Sequence, residues 1–380
     1  MKAPAPASGA SAATRPAPGD RLAAIDVGSN SIRLVVAEYD PQQGFSIIDE
    51  VREQARLATG LAATGMLDEA TMARAIVALQ RMKELITRRG VRQLSAVATS
   101  AVREARNGAA FVARVRKEAG IPLRIIDGET EAALSWRSVA HHFPLDRTRA
   151  LVADIGGGSL ELIGAVNGLV ETTASLPLGA VRLTERLAVG ERGAVRTVRA
   201  MRKLARKKLK QATKWSAWSG AVVIGSGGTF TNLARMAMER RGHTASDAVH
   251  GEEVSAAEVE QLLEWLSTRT AEERRTVPGL NPDRADIILA GLAVTAELLD
   301  LANAPVVRVS GFGLREGLLL EMVGGTTGPV ADPPRPLREF VERCQGDRRH
   351  VEQVRTLALS LFDQLGDVLG CGEGELFLLE

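Results

Sequence analysis

The sequence predicts an α/β fold built from two similar halves that flank a cleft, and three observations carry the prediction. From residue 21 to residue 325, short β-rich runs alternate with segments of helical periodicity. The run AAIDVGSNSIRLVV overlays LVADIGGGSLELIG with Asp26 on Asp154, Gly28 on Gly156, Ser31 on Ser159 and Leu34 on Leu162, as an internal duplication would. A third glycine-rich turn, in AVVIGSGGTFTNLARM, again joins an apolar run to the start of a helix. The 380 residues suffice for two sizeable cores.

The elements follow in order. Residues 1–20 are mostly Ala, Pro, Ser and Gly and read as a disordered tail, because they carry too little apolar surface to offset the entropy of ordering. LAAI and IRLVVAEY flank the polar turn DVGSNS and predict a β-hairpin. Over 68–90, Met72, Ile76, Leu79, Met82 and Ile86 recur at helical spacing, and Arg88, Arg89 and Gly90 close the helix. QLSAVAT reads as a strand, NGAAFVARVRKEAG as a helix, IPLRIID as a strand, and GETEAALSWRSVA as a helix with two acids in its first turn. The sister hairpin starts at 150. Residues 196–215 form an amphipathic helix with Val198, Met201, Ala205 and Leu209 on its apolar stripe. A long apolar helix over 281–302, a strand and turn in APVVRVSGFG and a closing helix at about 313–325 complete the second half. The domains expected are 21–128, on which the closing helix packs back, and 129–312. A Gly- and Pro-rich linker follows at 326–336. Residues 337–380 have helical spacing at Val354, Leu357, Leu359, Leu361 and Leu365, but are too short to bury a core of their own.

Composition removes several functions. No run of about 18 apolar residues spans a bilayer, and the N-terminal stretch has no signal-peptide core, so a cytoplasmic protein without membrane contact is expected. Cys344 and Cys371 lack the spacing of a disulfide framework or zinc site, and the five histidines are scattered. Forty-eight basic against 46 acidic residues give no polycation of the kind that binds nucleic acid. Any anion recognition has to be local.

Strand, glycine loop and helix start together form an anion site, because free backbone N–H groups and the helix dipole point at the ligand. Glycine also lets the backbone approach a phosphate. Three such turns on two facing halves describe a phosphate cleft. Asp154 and Glu161 stand on the two arms of one glycine turn, so both carboxylates can approach one small cation, and magnesium suits such hard oxygen ligands. In the sister turn Arg33 occupies the position of Glu161, so one turn would hold a metal and the other an anion.

The ordered runs IDVGSNSIRLVVAE, ATSAVREARN, DGETEAALSWRSVA, DIGGGSLELIGA, SLPLGAVRLTE, IGSGGTFTNLA, NPDRADIILAG and SGFGLREGLL resemble the exopolyphosphatase/guanosine pentaphosphate phosphatase (Ppx/GppA) family over roughly residues 21–325. The resemblance implies duplicated ribonuclease H-like domains of the actin-like ATPase type, shared with acetate kinase, sugar kinases, a heat-shock chaperone and actin. It implies magnesium-dependent hydrolysis of the terminal phosphoanhydride of polyphosphate or, alternatively, of the 5′ γ-phosphate of pppGpp. Glu131 matches the family's catalytic glutamate, a general base for water; Glu129 competes within the same motif but suits a helix N-terminus better. Asp154 and Glu161 match the metal-associated acids, and Arg103 an arginine that faces phosphate. The phosphate-binding set is completed by Asp26, Asn30, Ser31, Gly156, Gly157, Gly158, Ser159, Gly227, Gly228 and Thr229, although serine and glycine in turns are ordinarily structural. Leu160 departs from the family's threonine.

Arg199, Arg202, Arg206 and Lys210 lie on one stripe of the 196–215 helix and suggest a basic rail for a long polyanion; a solvated helix face explains them equally. The C-terminal stretch resembles the start of the helical domain of long family members, which often builds a homodimer interface. A kinase or an actin-like nucleotide-binding protein on the same fold is the more distant alternative.

Overall fold

The two hairpins that the sequence aligns fold alike. In the computed structural model, which describes residues 16–42, 44–187, 194–243, 249–324, 353–354, 356–360 and 362, residues 1–329 form one compact unit and residues 330–380 a second. The first unit begins with β1 (Arg21–Val27), β2 (Ile32–Asp40) and β3 (Gly44–Glu53), then α1 (Leu61–Thr64), α2 (Glu69–Arg88), β4 (Gln93–Ala98), α3 (Ser100–Glu104), α4 (Gly108–Ala119) and β5 (Leu123–Ile125). There follow α5 (Gly128–His142), β6 (Arg149–Ile155), β7 (Leu160–Val166), β8 (Leu169–Leu176), α6 (Ala180–Leu187), α7 (Ala194–Ala212), β9 (Val222–Ser226) and α8 (Gly228–Arg240). The unit closes with β10 (Glu253–Ser255), α9 (Ala256–Ser267), α10 (Ala271–Arg275), α11 (Ile288–Ala302), β11 (Val306–Val309) and α12 (Leu314–Met322).

The first sheet runs β3-β2-β1-β4-β5, with β1, β2 and β3 antiparallel and β4 and β5 parallel to β1. The second repeats this order as β8-β7-β6-β9-β11, with β10 added at its edge. This repetition is the duplicated arrangement expected from the sequence. Both central strands are buried on two faces, and their alternation divides the apolar residues between them. Ala23, Ile25 and Val27 of β1 and Leu151, Ala153 and Ile155 of β6 face one large core. Leu22 and Ala24 face Leu314, Leu318 and Leu319 of α12, while Ala150 and Val152 face Trp136 and Val139 of α5. Gly317 lets α12 lie directly on the backbone of α5 at Leu134. The packing of α5 on α12 as well as on β7 and β8 joins the two halves within the one compact unit.

Several boundaries differ from expectation. Residues 16–20, assigned to the tail, include a turn pinned to β2, where Gly19 N donates to Tyr39 O at 2.8 Å. The helix expected over 281–302 starts at Ile288. Asn281 caps a 3-10 turn at Pro282–Arg284, accepting from Asp283 N at 2.9 Å, and the turn redirects Arg284 into the interior. The edge strands β3 and β8 went unread, since neither alternates cleanly between buried and exposed positions. The linker at 326–336 and most of 337–380 lie outside the described residues, as do residues 1–15; residues 353–354, 356–360 and 362 of the second unit are helical. No described helix is long and apolar enough to cross a membrane.

Candidate active site

The two hairpin turns close identically and then meet. Gly28 N donates to Ser31 O at 3.1 Å, and Gly156 N to Ser159 O at 3.0 Å. A Cβ at Gly157 would lie 2.9 Å from Ser29 Cβ, and one at Gly158 would lie 2.6 Å from Ser29 Oγ and strike Ser100. A side chain at either position is therefore excluded by the facing turn, not by a ligand. Only Gly156 leaves room, with nothing nearer its would-be Cβ than Ser159 O at 3.5 Å. The third loop is tighter: Gly227 has φ +91°, where a side chain is strained, and its Cβ would lie 2.6 Å from Asp154 Oδ1. Gly228 lies directly beneath the Arg284 guanidinium.

These loops, with the turn before α12, enclose a cleft of about 820 Å³ including space open to solvent. Five acids line it. Asp26 faces Arg33 across the first hairpin and Asp154 faces Glu161 across the second; such partners have Cβ atoms about 4.5–5.5 Å apart. Glu131 enters from the first turn of α5, whose N-cap Asp127 accepts from Thr130 N at 2.8 Å. Glu129, the competing acid, does not line the cleft. Burial, opposed by Arg33 and Arg315, pushes the Asp26 carboxyl up to about 6. Burial and then the neighbouring Asp154 push Glu161 to about 7. Glu131 is raised well above the usual carboxylate range by burial and by Glu161, against the pull of Arg103. Asp154 is raised by burial, while a hydrogen bond from Ser135 Oγ at 2.7 Å opposes the shift. Ser175 Oγ donates to Glu161 Oε1 at 2.9 Å.

Three arginines face these acids from the cleft wall: Arg33, Arg284 and Arg315. Burial lowers Arg33 to about 10, and burial together with Arg33 and Arg52 lowers Arg284 to about 9. Arg315 pairs with Glu50 at 3.2 Å. Sequence reasoning placed Arg33 in the turn expected to hold an anion but passed over Arg284 and Arg315, although both stand inside quoted runs, NPDRADIILAG and SGFGLREGLL. Three buried polar atoms by the cleft have no partner: Asp26 Oδ1, Ser29 Oγ and Asn30 Nδ2.

Asp26, Asn30, Ser31, Glu131, Asp154, Gly156, Gly157, Gly158, Ser159, Glu161, Gly227 and Gly228 all line this one cleft. Three other expectations need correction. Thr229 is buried against Gly291 of α11, one helical step away from the cavity, and Thr231 lines it instead. Arg103 is not in the wall; it donates to Glu131 Oε2 at 2.9 Å and to Ile126 O at 2.8 Å, so its charge acts on the acid. The basic rail on α7 is not a free stripe. Arg202 donates to Glu297 at 2.6 Å and Glu260 at 2.7 Å, and Arg206 to Glu297 at 2.7 Å and to Asp300, while Arg199 and Lys210 remain exposed and none of the four lines the cleft. Glu297 is buried on α11, so the arginines above it are held there by charge.

A divalent cation fits this donor set. Buried acids that raise one another's proton affinity and a carboxylate oxygen without a donor are what a bound cation would relieve. Among the described residues no three acidic, His or Cys side chains converge as a ready ligand set. A magnesium ion needs only one or two carboxylates beside waters and substrate oxygens, so it is compatible with this set.

The family model described as the Ppx/GppA phosphatase family matches residues 35–325. Over 306 residues the chain is 31% identical to Exopolyphosphatase 1 of Mycobacterium tuberculosis, covering 79% of this chain and 87% of that protein. It is 30% identical over 317 residues to Exopolyphosphatase 2 of the same organism, covering 80% of this chain and 99% of that one. The crystal structure of an exopolyphosphatase from Cytophaga hutchinsonii matches with a TM-score of 0.74 at 26% identity, over 81% of this chain and 100% of that one. An Aquifex aeolicus member of the Ppx/GppA family matches with a TM-score of 0.67 at 30% identity, over 80% and 97%. A match that runs from within β2 to just past α12 takes in the whole second sheet and all of the first but β1 and the start of β2, and this chain accordingly belongs to the Ppx/GppA phosphatase family, as a hydrolase of phosphoanhydrides.

Proposed function

We propose that the protein is an exopolyphosphatase that removes the terminal phosphate of inorganic polyphosphate. The observation that carries this reading is the pairing, in one cleft, of five largely enclosed carboxylates with three arginines and unpartnered hydroxyl and amide groups. A charged polyphosphate end supplies acceptors for the arginines, and water supplies the proton for an acid. Its relatives' name, exopolyphosphatase, points the same way.

In this reading Glu131 takes the proton of a water as its oxygen attacks the terminal phosphorus. The bond to the bridging oxygen breaks, and that oxygen stays on the shortened chain while orthophosphate leaves. A base of high proton affinity is suited to this near neutral pH, and such a base contributes about 10² to 10⁴ in rate. Arg103 holds the Glu131 carboxylate in place and favours its ionised form. Arg33, Arg284 and Arg315 balance charge on the phosphoryl oxygens, and Asn30 and Ser29 donate to them. Asp154 and Glu161, oriented by Ser135 and Ser175, would hold magnesium, which would neutralise phosphate charge and orient the anhydride.

The test is phosphate release by purified protein with magnesium from long polyphosphate, short polyphosphate and pppGpp, beside Glu131→Ala. The expected result is release from polyphosphate, reduced about 10² to 10⁴ in the variant. Release from pppGpp with none from polyphosphate would replace the substrate, and near wild-type turnover by Glu131→Ala would remove the base. Phosphate transfer from ATP to an acceptor, with no hydrolysis, would overturn the class.

A further inference from the structure

Arg52, on β3, is the cross-strand neighbour of Arg33 on β2. Like charges placed opposite one another destabilise a sheet, so this pairing calls for a reason. The Nε and one terminal nitrogen of Arg52 are buried and have no hydrogen-bond partner. Charged donors buried without an acceptor are costly, and native proteins keep them where something else supplies the acceptor. The charges that face Arg52 are Asp283 and, from α8 under the other sheet, a further arginine, Arg235. Arg284 adds a fourth guanidinium, pushed toward its neutral form by burial and by Arg33 and Arg52.

Neighbouring groups are committed elsewhere. Gln54 Nε2 donates to the Asp283 carbonyl at 3.0 Å, and Arg56 pairs with Asp286 at 2.8 Å. These contacts tie β3 to the turn that carries Arg284 and fix where Arg52 stands. Four guanidiniums thus act on one another at and beside the cleft, and among the described residues Asp283 is the acid whose charge acts on Arg52. Arg33 and Arg284 line the cleft, whereas Arg52 and Arg235 lie outside its lining.

We propose that Arg52 and Arg235 form an oxyanion subsite beyond the cleavage position, which holds the phosphates that follow the terminal one in a polyphosphate chain. The proposal rests on the exopolyphosphatase reading of the cleft. A flexible chain of repeated phosphates matches a row of planar guanidinium forks, each able to take two oxygens. Its charge would relieve the repulsion between Arg33 and Arg52 and supply the missing acceptors.

The test is calorimetric binding, in the full chain carrying Glu131→Gln to prevent turnover, of orthophosphate, polyphosphates of increasing length and pppGpp. Adding Arg52→Gln should weaken long polyphosphate by about tenfold, as loss of a charge-assisted hydrogen bond does, and leave orthophosphate binding as it was. Arg235→Gln should act in the same direction, and Arg52→Lys should restore part of the loss. The melting temperature without ligand should not fall in Arg52→Gln; a fall would assign Arg52 a structural role and overturn the proposal. Equal loss for orthophosphate and long chains, or no loss for either, would overturn it too, and a loss confined to pppGpp would give the subsite to a nucleotide. If the wild-type protein releases no phosphate from polyphosphate yet binds it through Arg52, the activity reading fails and the subsite stands. If turnover is present and Arg52→Gln binds as its parent does, the subsite alone fails.

Discussion

If Glu131 is the base as proposed, Arg103 sets its working range by a single charge. Its guanidinium donates to Glu131 at 2.9 Å and pulls down a proton affinity that burial and Glu161 push up. A base acts only when ionised, so activity appears as pH rises through its pKa. Replacing Arg103 by Gln removes the opposing charge, raises that pKa further and moves the acid limb of the kcat/KM profile to higher pH, so turnover falls most at the acid end. If Arg103 instead met phosphate directly, KM would rise by a similar factor at every pH, and the pH profile separates the two outcomes. The sequence made part of this site legible: Asp154 and Glu161 are cross-strand partners, and a two-residue register on a short hairpin is visible in the sequence itself. Arg284 and Arg315 were not legible, because a lone arginine near a helix start looks solvated. Only the fold brings residues 250 and more positions beyond Asp26 back to it.

At the scale of elements, α7 was read correctly as amphipathic, with Val198, Met201, Ala205 and Leu209 all buried. The basic stripe beside them was ambiguous because sequence periodicity gives the face a residue occupies and not the element that faces it. Here α11 brings a buried Glu297 under Arg202 and Arg206. Removing both arginines leaves a buried carboxylate without its partners. The double variant Arg202→Gln, Arg206→Gln should lose about 2–3 kcal/mol of unfolding free energy, at the low side for a broken buried pair because both arginines are partly exposed. Chemical denaturation measures this. The same variant should keep its KM for long polyphosphate within about twofold, since these charges are already neutralised; a large chain-length-dependent rise in KM would return the rail to α7. The edge strands β3 and β8 escaped for a related reason: a strand half in solvent lacks the strict alternation that marks a sheet interior.

For the molecule as a whole, a cleft that gathers buried acids is stored repulsion, and pH exposes it. Asp26 and Glu161 have folded-state pKa values of about 6 and about 7, above their ordinary 3.8 and 4.5. Between those limits the folded protein holds more protons than the unfolded chain, so stability is fully present below about pH 4 for these groups and is lost as pH rises through 6 and 7. His250 works in the other direction. Burial lowers its pKa to about 4 from 6.5, so its contribution is present above 6.5 and is lost as pH falls toward 4. The opposing effects overlap between about 4 and 6.5, and the histidine's contribution fades over about one further pH unit as the unfolded-state imidazole finishes losing its proton, leaving the acids to act. With a chelator present, the melting temperature should therefore fall as pH is raised through 7 and beyond. Magnesium added at the alkaline end should restore it in a concentration-dependent way, since an ion that binds only the folded state stabilises by mass action. Asp154→Asn should flatten the fall and abolish the restoration together, by removing one repelling charge and one of the two carboxylates proposed to hold the ion. A melting temperature that stays level or climbs above pH 7 would mean that Asp26, Asp154 and Glu161 do not share one enclosed cleft.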